Sequence, residues 1–286
     1  MALNPVDKLL AGYLAFATAV VLARNPFQHP DSVWFLGMHA LFGVLLFLFT
    51  RLGAKDRLGQ VIHDVYPLLM IMPLYSEIGL FNDQLGTAIV LANDSLVQGI
   101  EANIFGGQIS YTWVRTYPSV FWSGLLHLAY LGYYPIIIVS PLLLVIKGER
   151  ARARAVLLST MVAFVVCYVW FVLYPVGGPN WVFDHPTGPV RDVWSARLVY
   201  NILEGGSAYG TAFPSSHVAA TSATTFALLR VWRPAGLVVV IPCTLLIVAT
   251  VYCQMHYAVD AAAGIMVGLP ASMLAAKWGG STVSSA

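Results

Sequence analysis

Long, uninterrupted apolar runs separated by short polar segments dominate the pattern of this chain. A helix needs roughly 20 apolar residues to cross a bilayer, so runs of about this length predict membrane-spanning helices. Eight segments are candidates: Leu9–Ala23, Val33–Thr50, Val61–Phe81, Val120–Ile146, Ala155–Val176, Pro214–Val231, Gly236–Tyr252 and Tyr257–Ala276. The pattern therefore predicts an all-α, polytopic membrane bundle of about eight transmembrane helices.

The connection between the third and fourth spans, residues 82–119, has a pattern of its own. Its apolar residues recur at spacings of three or four from Leu85 to Ile104, with Asp94 and Glu101 between them. That spacing predicts an amphipathic helix at the membrane surface, which would cap the bundle or act as a lid. A second long connection, residues 175–213, is rich in Gly and Pro, which indicates irregular backbone.

Lysine and arginine set the orientation, because cytoplasmic loops carry an excess of them. With the N-terminus inside, most of the 15 basic residues fall on the cytoplasmic side, including the cluster Lys147–Arg154. The arginines on the outer side are then Arg24, Arg115, Arg191 and Arg197. Without an internal repeat, we expect one membrane domain. It comprises residues 1–286, divided into N-terminal helices 1–81, an outer loop 82–119 and a core bundle 120–276.

Composition excludes several classes of protein. Of the 286 residues, 58% are hydrophobic and 10% are charged, whereas about a quarter of a soluble domain is charged. The same hydrophobicity excludes a disordered chain. Long apolar runs without alternation argue against an outer-membrane barrel. A net charge of +2 without a basic tract predicts no nucleic-acid partner. Cys167, Cys243 and Cys253 lack metal-ligand spacing, so we predict neither metal nor cofactor.

The first candidate for chemistry is the sequence from Phe213 through Pro214, Ser215 and Ser216 to His217, at the outer start of the sixth span. Proline favours the first turn of a helix. The unpaired N–H groups of that turn and the helix dipole attract anions. Ser215 and Ser216 could therefore bind phosphoryl oxygens beside His217. Alternatively, the serines only cap the helix and the histidine is incidental.

The second candidate is His256-Tyr-Ala-Val-Asp260 at the outer start of the last span. Residues four apart share a helix face, so Asp260 could accept a hydrogen bond from one nitrogen of His256. The other nitrogen would be left to act as a base or nucleophile. A buried structural pair is the alternative, but ionisable residues inside a membrane are expensive and favour function. The predicted topology places both histidines on the outer side.

These two clusters resemble the type 2 phosphatidic acid phosphatase superfamily. Its usual second and third motifs read P-S-G-H and S-R-x5-H-x3-D, and the resemblance covers residues 174–276. The first motif, K-x6-R-P, is missing, and the segment from Tyr174 to Asn180 occupies its place. The arginine of the third motif is replaced by Thr250. His-Tyr-x-x-Asp without that arginine is similar to the branch of inositol phosphorylceramide and sphingomyelin synthases.

The resemblance implies a role for each residue. His256 would be the nucleophile that forms a phosphohistidine, Asp260 would orient it, and His217 would exchange a proton with the leaving and incoming oxygens. Helix-terminal N–H groups, Ser215 and Ser216 would hold the phosphoryl oxygens. Further candidate phosphate ligands are Asn180, Arg191 and Arg197, although the arginines could instead pair with surface carboxylates. Glu77, near the outer end of the third span, could line a head-group cavity.

We therefore expect a membrane-embedded lipid phosphate phosphatase or phosphotransferase acting on the non-cytoplasmic side. A head-group transferase, which moves a phosphate-linked group from a phosphodiester lipid to ceramide or diacylglycerol, is the closest alternative. A catalytically inactive lipid-binding protein is an alternative of another class. A transporter would predict paired broken helices, and a serine hydrolase a G-x-S-x-G turn, neither of which the sequence contains. The expected location is a bacterial inner membrane, with membrane lipid as the partner and no prediction of oligomeric state.

Overall fold

The computed structural model describes residues 3–23, 30–53, 55–83 and 85–279. The predicted outer Arg24 lies outside them. The described chain is helical, and its only β-feature is an isolated bridge between Val176 and Thr211. Its helices are α1 Pro5–Ala23, α2 Pro30–Leu52, α3 Arg57–Asp83, α4 Thr87–Phe105, α5 Ile109–Thr116, α6 Val120–Leu131, α7 Ser140–Ile146, α8 Arg150–Leu173, α9 Pro179–Val182, α10 Pro189–Asp192, α11 Trp194–Gly206, α12 Ser216–Val231, α13 Arg233–Tyr252 and α14 Ala258–Gly279. The all-α prediction is confirmed.

Among the described residues, six helices are long and apolar enough to cross a membrane. They are Pro5–Ala23, Ser32–Leu52, Val120–Ile146 (α6 and α7, joined by a π-helical turn), Arg150–Leu173, Arg233–Tyr252 and Ala258–Trp278. The protein is therefore a multi-pass integral membrane protein. The predicted count of eight is not confirmed, because α12 has only 16 residues and α3 carries Asp64 and Glu77 within its apolar stretch.

Helix α12 is the centre of the bundle, where it packs against α8, α13 and α14. Small residues fill most of it, and nearly all of them are buried. Gly264 and Gly268 of α14 face it so closely that a Cβ atom on either would lie 2.7 Å from a backbone oxygen of α12. This small-xxx-small face lets two helix backbones approach each other in a membrane. It fixes the start of α12 against the first half of α14.

Buried acidic residues of the N-terminal helices have partners inside the protein. Asp7 of α1 accepts hydrogen bonds from His63 at 3.1 Å and Tyr66 at 2.6 Å. Asp64 of α3 accepts from Arg150 and Arg154 of α8, each at 2.6 Å. Buried charges are tolerated when they are paired and hydrogen-bonded. These pairs tie α1, α3 and α8 together on the side remote from the two histidine motifs.

Helix α4 confirms the amphipathic helix, and its polar side faces inward. Asp94 and Glu101 are buried, whereas Leu96, Ile100 and Ile104 are each more than half exposed. A helix that rests on water-soluble protein shows the opposite arrangement, with apolar residues inside. Helix α4 therefore turns its carboxylates to the protein core and leaves these apolar side chains exposed, as expected for a helix beside lipid.

The second outer connection is more regular than predicted. It contains α9, α10 and the 13-residue helix α11, which packs against α6. Two Gly-Pro pairs, Gly178-Pro179 and Gly188-Pro189, lie at the starts of α9 and α10, and irregular backbone remains between the helices. Proline in the first turn of a helix needs no backbone partner for its nitrogen, which explains how a Pro-rich segment forms helices.

Candidate active site

His217 lies in the first turn of α12, the central helix of the bundle. Ser215 is the N-cap, and its Oγ accepts a hydrogen bond from the Val218 N–H at 3.4 Å. Ser216 is the first helical residue, and both serines are buried. The predicted serine-capped helix start is therefore present. It places the imidazole of His217 at the level of the outer connections.

His256 lies in the turn between α13 and α14, two residues before α14 begins. The expectation that His256 and Asp260 share a helix face is wrong, because the helix starts only at Ala258. The turn nevertheless brings the two side chains together. Nδ1 of His256 is 3.0 Å from the carbonyl oxygen of Ala212 and 3.5 Å from Oδ2 of Asp260. The Asp260 carboxylate is fully buried and also accepts the Tyr257 N–H at 2.9 Å.

These contacts determine the tautomer of His256. A carbonyl oxygen can only accept a hydrogen bond, so Nδ1 must carry the proton that faces Ala212. In the neutral ring Nε2 then keeps its lone pair. No hydrogen bond occupies this nitrogen among the described residues. In its neutral form the ring therefore directs the free lone pair of Nε2 away from Ala212, which is the arrangement that a nucleophilic histidine requires.

The two motifs meet directly. The Ser215 N–H donates to the carbonyl oxygen of Asp260 at 3.0 Å, which ties the start of α12 to the first turn of α14. The ring centroids of His217 and His256 are 5.8 Å apart. Within the described chain, Nδ1 of His217 and Oδ1 of Asp260 are buried without a hydrogen-bond partner. Buried polar atoms that stay unsatisfied cost stability, so each one in a folded protein requires an explanation such as a catalytic role.

A cavity of about 40 Å³ lies at this junction. His217 and His256 line it together with Tyr75, Asn180, Trp181 and Thr211. No lysine or arginine of the described chain lines it. It shares Tyr75, Ser207 and His217 with a second cavity of about 50 Å³, whose wall includes several tyrosines. It shares Trp181 and Ser207 with a third of about 670 Å³ between α3, α4 and α11.

The other predicted ligands are dispersed. Asn180 lines the cavity, whereas the Arg191 guanidinium carbon stacks 3.2 Å from the ring centroid of Tyr200. Arg197 is exposed on α11. Glu77 is buried in α3, where Oε1 lies 3.1 Å from Nε2 of His39, and it lines none of these cavities. The structure brings together His217, His256, Asp260, Ser215, Ser216 and Asn180, and it leaves the two arginines and Glu77 apart from them.

Comparison with known families identifies the superfamily. Residues 104–274, more than half of the chain, match the family model of the PAP2 superfamily. The chain belongs to the PAP2 superfamily. The predicted resemblance to the type 2 phosphatidic acid phosphatases is thus confirmed at the level of the superfamily. No curated protein and no solved structure matches the chain. Membership and the helical membrane fold indicate a lipid phosphatase-type function.

Two site residues of this PAP2 superfamily protein carry no motif signal. Tyr130 of α6 places its hydroxyl 3.2 Å from Nε2 of His217, and the two rings stack with centroids 4.9 Å apart. Gln254 has a left-handed backbone, with φ of 60°. Its side chain accepts from Arg115 at 2.7 Å and donates to the carbonyl oxygen of Asp184 at 3.0 Å. Tyr130 is one of several aromatic residues within an apolar span, and a single glutamine such as Gln254 forms no periodic pattern. The sequence therefore did not identify either residue as part of the site.

Proposed function

We propose that the protein is a membrane-embedded lipid phosphatase or phosphotransferase that cleaves a lipid-borne P–O bond on the non-cytoplasmic side. The observation that carries this proposal is the pair of histidines at one cavity, with their ring centroids 5.8 Å apart and Nδ1 of His256 facing the carbonyl oxygen of Ala212. The basic cluster around Arg150 at the opposite end of α8 supports the outward orientation of the site. The location in a bacterial inner membrane is part of the same proposal.

In the first step, Nε2 of His256 attacks phosphorus and forms a P–N bond. The P–O bond to the leaving group breaks, and protonated His217 gives its proton to the departing oxygen. Asp260 stabilises the positive charge that develops on the His256 ring, because its carboxylate faces Nδ1. Backbone N–H groups at the start of α12, together with Ser216 and Asn180, hold the phosphoryl oxygens.

In the second step, an oxygen nucleophile attacks the phosphohistidine. Neutral His217 accepts the proton of the incoming O–H group, a P–O bond forms and the P–N bond breaks. Both histidines then return to their starting protonation states. Water as the nucleophile makes the protein a phosphatase, and a lipid alcohol makes it a phosphotransferase. The Tyr130 hydroxyl keeps the His217 ring oriented between the two steps.

A head-group transferase is the second candidate, and the lack of lysine and arginine in the described lining of the cavity favours it. A phosphodiester carries one negative charge, whereas a phosphomonoester carries up to two and needs more cationic compensation. The described lining residues offer neutral donors and histidines only. The two adjoining cavities supply separate approaches for a donor and an acceptor lipid such as ceramide or diacylglycerol. This proposal agrees with the resemblance to the inositol phosphorylceramide and sphingomyelin synthase branch.

Product analysis of purified protein in detergent tests both candidates. The substrates are phosphatidic acid, an isoprenyl diphosphate, and a phosphodiester lipid offered with ceramide or diacylglycerol. Free phosphate that disappears in His256→Ala and His217→Ala supports the phosphatase. A new phosphodiester lipid without free phosphate, lost in the same variants, supports the transferase. Turnover that matches wild type in both variants refutes the mechanism. Binding of these lipids without any product supports the catalytically inactive alternative.

A further inference from the structure

Asp94 of α4 makes three hydrogen bonds, and all of them go to segments beside the histidines. Its carboxylate accepts the Gly177 N–H at 2.8 Å and the Gly178 N–H at 2.9 Å. It also accepts the Tyr257 hydroxyl at 3.0 Å. Asp94 is 1% exposed, and burial raises the pKa of its carboxyl although these hydrogen bonds oppose the shift. A buried group with every partner in place is held in one geometry.

Glu101, two turns further along α4, repeats the arrangement at the start of α14. Its Oε2 accepts the Val259 N–H at 3.3 Å, and its Oε1 accepts the Ser110 N–H at 3.5 Å. Between the two acids, Gln98 donates to the Tyr257 hydroxyl at 2.9 Å. Glu101 is fully buried, and burial raises the pKa of its carboxyl. The inner side of α4 therefore contacts the chain on both flanks of the site.

Each segment that α4 holds is adjacent to a reacting or orienting group. Tyr257 follows His256 directly, and Val259 precedes Asp260. Gly178 packs so closely on Ala212 that a Cβ added to it would lie 2.5 Å from the Ala212 side chain. The carbonyl oxygen of Ala212 is the acceptor that fixes the Nδ1 proton of His256. A displacement of Gly177 and Gly178 would therefore change the position of that acceptor.

We propose that Asp94 and Glu101 are positioning residues, through which α4 braces the turn that carries His256 and Asp260. The inference rests on the proposed function, since positioning matters only if these side chains react. Leu96 and Ile100 are exposed on the outward side of α4, which we place at the boundary with lipid. The carboxylates of Asp94 and Glu101 point inward from the other side of the helix. The segment from Tyr174 to Asn180 occupies the place of the missing first motif and carries no lysine or arginine. It is held by hydrogen bonds to Asp94 of α4 instead.

Kinetics of Asp94→Asn provide the first test. Asn keeps the size of the side chain but presents an NH2 group to one of the two glycine N–H donors, which disrupts that hydrogen bond. We expect kcat to fall on the order of 10- to 100-fold with KM within about twofold, because misplacing reacting groups by about 1 Å costs roughly that much. Glu101→Gln should change the kinetics in the same direction. The matched control is Ser95→Ala, an exposed neighbour on α4 that should retain wild-type kcat.

A double-mutant cycle tests whether Asp94 acts through Tyr257. If Asp94 acts partly through Tyr257, the reductions in kcat of Asp94→Asn and Tyr257→Phe should be less than multiplicative in the double variant. Multiplicative effects would contradict the positioning role of Asp94. Wild-type kcat in Asp94→Asn while His256→Ala is inactive would also contradict it. Either result would leave the proposed function intact.

Amide hydrogen exchange tests the brace without requiring turnover. Peptides that cover Gly177–Gly178 and Tyr257–Val259 should exchange at least about tenfold faster in Asp94→Asn than in Ser95→Ala, because buried hydrogen bonds protect amides. Unchanged exchange in both peptides would overturn the proposal whatever the substrate. Exchange could accelerate as expected while the wild-type protein turns over no phospholipid. That result would confirm the contacts of α4 but contradict both the proposed function and the positioning role of Asp94 and Glu101 in catalysis.

Discussion

Replacement of Gly264 by alanine tests whether close approach of α14 to α12 sets the geometry of the two histidines. A Cβ at this position would lie 2.7 Å from the Ser215 carbonyl oxygen and 2.8 Å from Cβ of Val218. Ordinary van der Waals contact begins at 3.4 Å, so α14 must move outward by about 0.7 Å. Neither contact can be relieved by a rotamer change, because the Ser215 oxygen belongs to the backbone and Cβ of Val218 is fixed by the backbone.

The displacement should affect stability and turnover together. Overpacking of a close-packed core costs about 1–3 kcal/mol. Ser215 donates its N–H to the Asp260 carbonyl oxygen, so the same movement strains the bond that joins the two motifs. Since misplacement by about 1 Å can reduce turnover 100-fold, we expect kcat of Gly264→Ala to fall at least about tenfold. KM should change less, because the lipid-facing surface is unaltered.

The assay is turnover of the accepted phospholipid in lipid nanodiscs, together with thermal unfolding of the same preparation. Gly43→Ala is the matched control, since Gly43 lies within α2 with nothing within 4 Å of an added Cβ. Alanine is favoured over glycine in a helix by about 1 kcal/mol, so this variant should be at least as stable as wild type and equally active. Wild-type kcat and unfolding midpoint in Gly264→Ala would refute the reasoning.

Three further predictions concern single contacts. Gly178→Ala should reduce kcat at least about tenfold in the same assay, because only glycine readily adopts the backbone conformation there, with φ of 87° and ψ of 169°. Normal turnover would contradict the close packing of Gly178 on Ala212. Tyr130→Phe should lower kcat about fivefold, as expected for one lost hydrogen bond of about 1 kcal/mol to His217, and an unchanged kcat would exclude its orienting role. Asp7→Asn should lower the free energy of unfolding by about 3 kcal/mol while kcat stays within about twofold, because it breaks the buried pair of Asp7 and His63, which is remote from the site. A loss of kcat at wild-type stability would contradict this prediction.

The sequence predicted the meeting of His217 and His256 because each motif lies at the outer end of a predicted span. It could not predict how His256 is held. The turn before α14 depends on the left-handed backbone of Gln254, which most residues avoid and which no local pattern announces. The acceptor for Nδ1 of His256 is a backbone carbonyl 44 residues away, at Ala212. Contacts of this kind arise from packing rather than from spacing.

Helix α4 shows another limit of pattern analysis. The spacing of its apolar residues predicts two faces, but it does not say which face meets the protein. In water the apolar side turns inward, whereas beside a lipid bilayer the apolar side can face outward and buried carboxylates such as Asp94 can find backbone donors. The expected arginines illustrate the same point, because Arg191 stacks on Tyr200 instead of reaching the cavity. Long side chains have several partners within reach, and sequence does not select among them.

Trapping of a covalent intermediate tests the central claim, that Nε2 of His256 attacks phosphorus. Protein incubated with a phospholipid radiolabelled at phosphorus is quenched in base, digested and mapped by peptide. We predict label on the peptide that contains His256, stable in base and lost in acid as a phosphoramidate should be. The label should be absent from His256→Ala and present in the Ser95→Ala control. Turnover of the lipid with label on another residue, or with none on the protein, would contradict the account.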